Sequence, residues 1–188
     1  MSHNDKTKLF KEETIKFNKK HNLVSKKNTS KIIDEAIEEA VALTKHLKQY
    51  KNILDIGTGG GLPGIPLAIF NENKNIYLSE KNNKKNYHLK KTIKLLEIEN
   101  ATTIGSANKN TKINKKVDCV VTKAFASTKK TIDIANSFLE KPFTLMLLKG
   151  KLKTINKEIA EANISKENYE IIKIENEKEK HILKIQNE

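Results

Sequence analysis

The sequence contains no arginine and only one cysteine among its 188 residues. A single cysteine cannot form an intramolecular disulfide, and Cys119 lies in an apolar run, so we expect a small buried side chain in a reducing compartment. Long hydrophobic runs are also missing: the longest uncharged stretch, residues 56–71, is rich in glycine and proline and too short to span a bilayer. The polar N-terminal residues do not resemble a secretory signal. These absences predict a cytoplasmic protein that does not associate with membranes.

The residue patterns that metal catalysis or hydrolysis would require are missing as well. The five histidines are scattered and do not have metal-ligand spacing with the one cysteine. The chain has no Gly-x-Ser-x-Gly sequence, which marks the nucleophile turn of many hydrolases. Both chemistries are therefore disfavoured, and no metal site is predicted.

The charge of the chain is strongly basic and comes from lysine alone. There are 36 basic and 23 acidic residues, which gives a net charge of +13. Such a surface can attract a polyanion, but lysine lacks the planar fork with which arginine binds phosphate or guanine through two hydrogen bonds. A genome biased toward AAA codons would explain most of the lysine count. The charge thus supports nucleic-acid binding without establishing it.

Apolar patterns along the chain predict an α/β protein. Strands and helices alternate, with strands at 52–56, 75–79, 101–104, 117–122 and 143–148 and intervening helices at 63–72, 83–97, 128–140 and 153–162. This alternation implies a doubly wound parallel sheet with right-handed crossovers, closed by an antiparallel hairpin near 168–175 and 180–186. Two earlier helices, 5–20 and 31–48, are predicted to form an N-terminal helical cap (residues 1–50) on the main domain (51–188).

The most informative stretch, residues 53–69, combines a short apolar strand, a glycine-rich turn and the first turns of a helix. Four glycines among residues 57–61 let the backbone turn sharply and bring its N–H groups close to a ligand. Pro63 and Pro66 fit only the first helical turn, so the helix is expected to begin near Leu62 or Pro63. Asp55 interrupts the strand and needs a polar partner.

Two familiar ligand classes fit this stretch poorly. A phosphate-binding P-loop requires Lys and Ser or Thr at the positions that Ile65 and Pro66 occupy. A dinucleotide fingerprint can be drawn through Gly59, Gly61 and Gly64, but this register leaves three more residues between the strand and the first glycine. It also gives the aspartate of the strand no role. NAD binding is therefore the weaker alternative.

A third register, Asp55-x-Gly57-x-Gly59-x-Gly61, begins on the strand itself. It resembles the first motif of class I methyltransferases, which bind S-adenosylmethionine. We favour this register. A ligand-free turn is disfavoured because four glycines are a costly way to reverse the chain.

Further candidate residues follow the other strands, whose carboxyl ends should share one edge of the sheet. Glu80 ends the second strand, where a carboxylate can accept hydrogen bonds from both ribose hydroxyls of either cofactor. Residues 105–108 are small and polar and suited to lie against an adenine, with Asn108 at its edge. Lys123 follows the fourth strand and Lys149 the fifth, so both are expected near the ligand.

These stretches together resemble the bacterial small-subunit rRNA guanine-N7 methyltransferases, also called the glucose-inhibited division protein B family. Residues 55–69 look like the family signature, and other similar stretches follow the family order at 21–23, 34, 78–85, 122–126 and 148–150. The resemblance implies a class I methyltransferase, with a Rossmann-like doubly wound sheet, that uses S-adenosylmethionine. Its implied partner is 16S rRNA or a precursor of the small ribosomal subunit, and we expect a monomer.

The resemblance also implies the site. The expected cofactor-binding residues are Asp55, Gly57, Gly59, Gly61, Leu62, Glu80, Ala107, Asn108 and Lys123. Lys123 and Lys149 are the expected catalytic positions and would orient the base. Four positions depart from the family: Lys123 and Ser106 stand in place of arginines, Asn108 in place of an acid, and Lys31 in place of a histidine.

The implied chemistry needs few residues, because guanine N7 carries a lone pair and no proton. Attack on the sulfonium methyl then requires no general base, only alignment and a suitable electrostatic environment. Two alternatives stay open. A methyltransferase for a small molecule would need a closed apolar pocket, for which the chain has few aromatic residues, and a non-catalytic RNA-binding protein would retain the fold alone.

Overall fold

The computed structural model describes residues 1–21, 23, 28–108, 110–175 and 179–188. Within these ranges the α-helices are α1 (His3–His21), α2 (Thr29–Thr44), α3 (Gly64–Phe70), α4 (Asn83–Leu95), α5 (Thr128–Asn136) and α6 (Leu152–Glu161). The strands are β1 (Asn52–Ile56), β2 (Asn75–Ser79), β3 (Ala101–Ile104), β4 (Cys119–Lys123), β5 (Phe143–Lys149), β6 (Tyr169–Lys173) and β7 (His181–Asn187). The first three strands match their predicted ranges residue for residue, and the predicted alternation is confirmed.

The strands form one sheet in the order β3-β2-β1-β4-β5-β7-β6. Strands β1 to β5 are parallel, whereas β7 runs antiparallel to both of its neighbours, as predicted for a closing hairpin. The strand order reverses between β1 and β4. In open α/β sheets a ligand binds beyond the carboxyl ends of the strands at such a reversal, so the fold places a candidate site at the ends of β1 and β4.

The core lies on both faces of the sheet, because successive side chains of a strand point to opposite sides. Ile53 and Cys119 are fully buried on the face covered by α1 to α4, while Leu54 and Val120 are fully buried on the face covered by α5 and α6. The predicted burial of Cys119 is confirmed. No helix in the described ranges has the length and apolar character of a membrane span.

The N-terminal helices share the core of the sheet. Phe10 of α1 and Ile33 and Leu43 of α2 are fully buried in the same cluster as Ile53 of β1. An ion pair between Lys11 and Asp34, 2.6 Å long, joins the two helices. The two-part division at residue 50 stays a prediction, but this packing lets α2 reach the edge of the sheet where the site lies.

Candidate cofactor and substrate site

The glycine loop after β1 has one open side. Gly57, Gly59 and Gly61 all have positive φ angles, of 73°, 58° and 97°. A Cβ added at Gly57 would lie 2.2 Å from the ring of Phe125, and one at Gly61 would lie 2.6 Å from Ile65. At Gly59 the nearest atom would be the carbonyl oxygen of Gly57, at 3.9 Å. The space above Gly59 can therefore receive a ligand that approaches the backbone closely.

Asp55 lies beneath this loop and is fully buried. Its Oδ2 accepts a hydrogen bond from the N–H of Gly64, the first residue of α3, at 2.9 Å. Burial raises the pKa of Asp55 to about 7, although the Gly64 hydrogen bond opposes this shift. In this geometry the carboxylate fixes the start of the helix to the strand. The N–H of Gly64 is thus the polar partner that a carboxyl group inside an apolar strand requires.

The loops after β1, β2 and β3 are joined by hydrogen bonds at this edge. The N–H groups of Gly57 and Thr58 both donate to the carbonyl of Ser79, at 2.9 and 3.0 Å. The hydroxyl of Ser79 donates to the carbonyl of Gly105 at 2.9 Å. Asn86 of α4, which sequence reasoning missed, donates to the carbonyl of Glu80, just after β2, at 3.2 Å and to that of Ile104, the last residue of β3, at 3.1 Å. The three loops are therefore fixed relative to one another.

The remaining residues predicted to bind the cofactor differ in their availability. Glu80 is largely buried, and its Oε1 accepts a hydrogen bond from the N–H of Asn82 at 2.7 Å. Leu62 belongs to the core beneath the loop, and Ala107 packs on the opposite face of the sheet. Asn108 is exposed, but its side-chain amide bonds within its own turn, to the carbonyl of residue 106 and the N–H of residue 110.

Lys123, at the end of β4, is bound to a buried carboxylate from the N-terminal helices. Its Nζ lies 2.5 Å from Oε2 of Glu39, and Nζ of Lys180 lies 2.5 Å from Oε1 of the same residue. The side chain of Glu39 is only 3% exposed. A buried carboxylate between two ammonium groups is a stable arrangement only while both partners stay in place. Lys123 is thus held in position by Glu39 of α2, which also binds Lys180, the residue before β7.

Lys149, at the end of β5, is also paired. Its Nζ donates to Oε2 of Glu158 on α6 at 2.6 Å. The same oxygen accepts hydrogen bonds from the N–H and the hydroxyl of Thr128, at 3.0 and 2.6 Å. Burial alone would raise the pKa of Glu158, but the hydrogen bonds from Lys149 and Thr128 outweigh it and lower the pKa below its usual value. Glu158 is therefore ionised at neutral pH.

These two lysine–glutamate pairs line one cavity of 290 Å³ beyond β4 and β5. Phe125 joins the cavity to the glycine loop, because its ring lies against Gly57. The intervening Ala124 has a φ angle of 51°, a conformation that is strained for a residue other than glycine. Neither Glu39 nor Glu158 belongs to a recognisable sequence motif, which is why sequence reasoning missed both.

The fold matches solved structures of methyltransferases. One is a SAM-dependent methyltransferase from Aquifex aeolicus, with a TM-score of 0.61 and 13% identity over 85% of this chain and 98% of that one. Another is M. jannaschii TYW2 in complex with AdoMet, with a TM-score of 0.58 and 20% identity over 80% of this chain and 74% of that one. The predicted class I methyltransferase fold is confirmed.

Sequence comparison gives a narrower result. The chain is 34% identical over 172 residues to the ribosomal RNA small subunit methyltransferase G of Brachyspira hyodysenteriae, a match that covers 90% of this chain and 83% of the relative. The family model described as rRNA small subunit methyltransferase G matches residues 3–183. The chain therefore belongs to the rRNA small subunit methyltransferase G family.

Proposed function

We propose that this protein transfers a methyl group from S-adenosylmethionine to N7 of a guanine in 16S rRNA. Membership of the family confirms the predicted enzyme class, an rRNA methyltransferase, and its cofactor. The structural observation that supports the proposal is the contact of Phe125 with Gly57. Through it, a glycine loop with an open side adjoins a cavity lined by lysine and glutamate.

The residues at the reversal of strand order fit the cofactor. We expect the backbone at Gly57, Gly59 and Gly61 to approach it, since Gly59 has free space on one side. The carboxylate of Glu80, just after β2, would accept hydrogen bonds from the ribose hydroxyls. The cofactor supplies the methyl group on its sulfonium. Asp55 contributes by fixing the helix start below the loop.

The chain needs to orient the guanine and exclude water, and it needs no proton acceptor at N7. An ammonium group has three N–H donors. Lys123 gives one to Glu39, and Lys149 gives two, to Glu158 and to the carbonyl of residue 126. Within the part of the chain that the structure describes, each lysine therefore retains a donor for the base or a phosphate. Because both are paired with carboxylates, we expect them to orient the substrate through hydrogen bonds, more than through net positive charge.

The setting of the reaction is proposed on the same basis. We propose that the protein acts in the cytoplasm as a monomer, on 16S rRNA or a precursor of the small subunit. The family supplies the class of substrate, rRNA. The lysine-rich composition, with a net charge of +13, suits a protein that binds RNA phosphates.

Methylation of small-subunit RNA tests this function. The protein is incubated with labelled S-adenosylmethionine and either the naked transcript or isolated small subunits, and N7-methylguanosine is mapped by borohydride and aniline cleavage. We expect label at one guanine. RNA binding without label would favour the non-catalytic alternative. Calorimetry that showed binding of NAD and no response to S-adenosylmethionine would contradict the cofactor assignment.

A further inference from the structure

The cavity beyond β4 and β5 has two polar pairs at different distances from the glycine loop. In the sheet order β1-β4-β5, Lys123 ends the strand next to β1, and Lys149 ends the strand after it. Neighbouring strands lie about 4.8 Å apart. Lys149 and its partner Glu158 are therefore on the far side of the cavity from the glycine loop, separated from it by the end of β4.

This far side can meet the Watson–Crick edge of guanine, which adjoins the edge that carries N7 and shares O6 with it. With N7 toward the glycine loop, the base can be turned so that its Watson–Crick edge lies against β5 and α6. That edge presents the O6 acceptor beside the N1–H and N2–H donors, whereas adenine presents a donor at position 6 beside the N1 acceptor. RNA bases in loops are commonly recognised by hydrogen bonds at this edge.

The Lys149–Glu158 pair presents the complementary groups side by side. Within the described residues, the hydrogen bonds to Glu158 all end on Oε2, so Oε1 is left to accept others. Lys149 uses two of its three N–H donors, on Glu158 and on the carbonyl of residue 126. The remaining N–H donor of Lys149 is therefore complementary to O6 of guanine, and Oε1 of Glu158 is complementary to the adjacent N1–H and N2–H donors.

Hydrogen bonds and an ion pair fix the position of the Glu158 carboxylate beside the cavity. Thr128, the first residue of α5, donates to it twice, and its ion pair with Lys149 is 2.6 Å long. These contacts fix the side chain of Glu158. Because that side chain is still 18% exposed, a ligand in the cavity can reach it. A carboxylate that served only to cap α5 would not need to line a cavity at the carboxyl edge of the sheet.

We propose that Glu158 and Lys149 read the Watson–Crick edge of the target guanine, with Glu158 accepting from N1–H and N2–H and Lys149 donating to O6. The inference rests on the proposed function and adds the residues that distinguish guanine from adenine. A site that hydrogen-bonds an N–H group discriminates strongly against an analogue that lacks it, because its own buried polar group is left without a partner.

The test replaces the target guanosine with inosine, which keeps N7, O6 and N1–H and lacks only the N2 amino group. The modified nucleotide is placed at the mapped position by splint ligation, and kcat/KM is measured for both RNAs. We expect the wild-type protein to prefer guanosine at least tenfold. In Glu158→Gln the amide presents a donor where the base also donates, so we expect the preference to fall below threefold. Glu158→Asp, which keeps the charge, should give an intermediate value.

Glu161→Gln is the matched control, because Glu161 is an exposed residue one turn later on the same helix. It should keep the wild-type preference. If Glu158→Gln slowed both RNAs equally and kept the preference, Glu158 would only support the local fold and the proposal would be overturned. If the wild-type protein methylated both RNAs with equal kcat/KM, the proposed recognition of the N2 amino group would be overturned, while the proposed function would stand. Failure to methylate guanosine at all would overturn the function itself.

Discussion

The two halves of the carboxyl edge of the sheet are built in different ways. Around the glycine loop, the chain uses backbone groups and conformations that glycine permits, and the contacts join neighbouring strands in one βαβ unit. Beyond β4, the site is built from side-chain pairs between distant segments: Glu39 lies 84 residues from Lys123 and 141 from Lys180. The first half is therefore encoded locally, and the second depends on the completed fold.

The largest expected effect is on the locally encoded half, at Gly59. Replacing Gly59 with valine would fill the open space above the loop, and we expect S-adenosylmethionine binding to fall at least a hundredfold in calorimetry. The positive φ angle adds about 1–2 kcal/mol of strain, which a domain of typical stability tolerates. Cys119→Ala is the control and should bind the cofactor normally, because Cys119 is buried in the core. Normal binding by a folded Gly59→Val protein would remove the loop from the site.

The side-chain pairs beyond β4, which depend on the completed fold, can be disrupted by a substitution of Glu39. Glu39→Ala leaves two ammonium groups near each other without their shared carboxylate, so we expect the free energy of unfolding in urea to fall by about 2 kcal/mol. The neighbouring Glu38 is exposed on the same helix, and Glu38→Gln should change stability by less than about 0.5 kcal/mol. Equal effects of the two changes would mean that the buried carboxylate does not hold the two lysines together.

The same contrast explains how far the sequence could predict the molecule. The strands and the glycine loop were predictable because apolar runs and glycine spacing act over a few residues. The sequence also indicated that Lys123 and Lys149 would lie at the carboxyl ends of neighbouring strands in a parallel sheet, as they do. It could not indicate their partners. Glu39 is one of several glutamates on α2, and only the packing of that helix on the sheet selects it for burial beside Lys123.

Two substitutions of Lys123 test whether the part of the site beyond β4 needs only a positive charge at this position or the particular shape of lysine. Lys123→Ala should lower single-turnover methylation of small-subunit RNA at least tenfold, which corresponds to about 1.4 kcal/mol of barrier. Lys123→Arg should keep or raise the rate, because it restores the residue that the family resemblance implies and can still pair with Glu39. Circular dichroism checks that both variants fold. An undiminished rate in Lys123→Ala would remove this residue from the site.

The smallest expected effect lies at the junction of the two halves, at Ala124. Its φ angle of 51° turns the chain so that the next side chain, Phe125, covers Gly57. Glycine adopts this conformation without strain but loses more entropy on folding, so Ala124→Gly should stabilise the protein by only about 0.5 kcal/mol. Thermal unfolding would show a small rise in Tm, whereas Ala36→Gly within α2 should lower it. A lower Tm for Ala124→Gly would show that the methyl group of Ala124 contributes packing that outweighs its backbone strain.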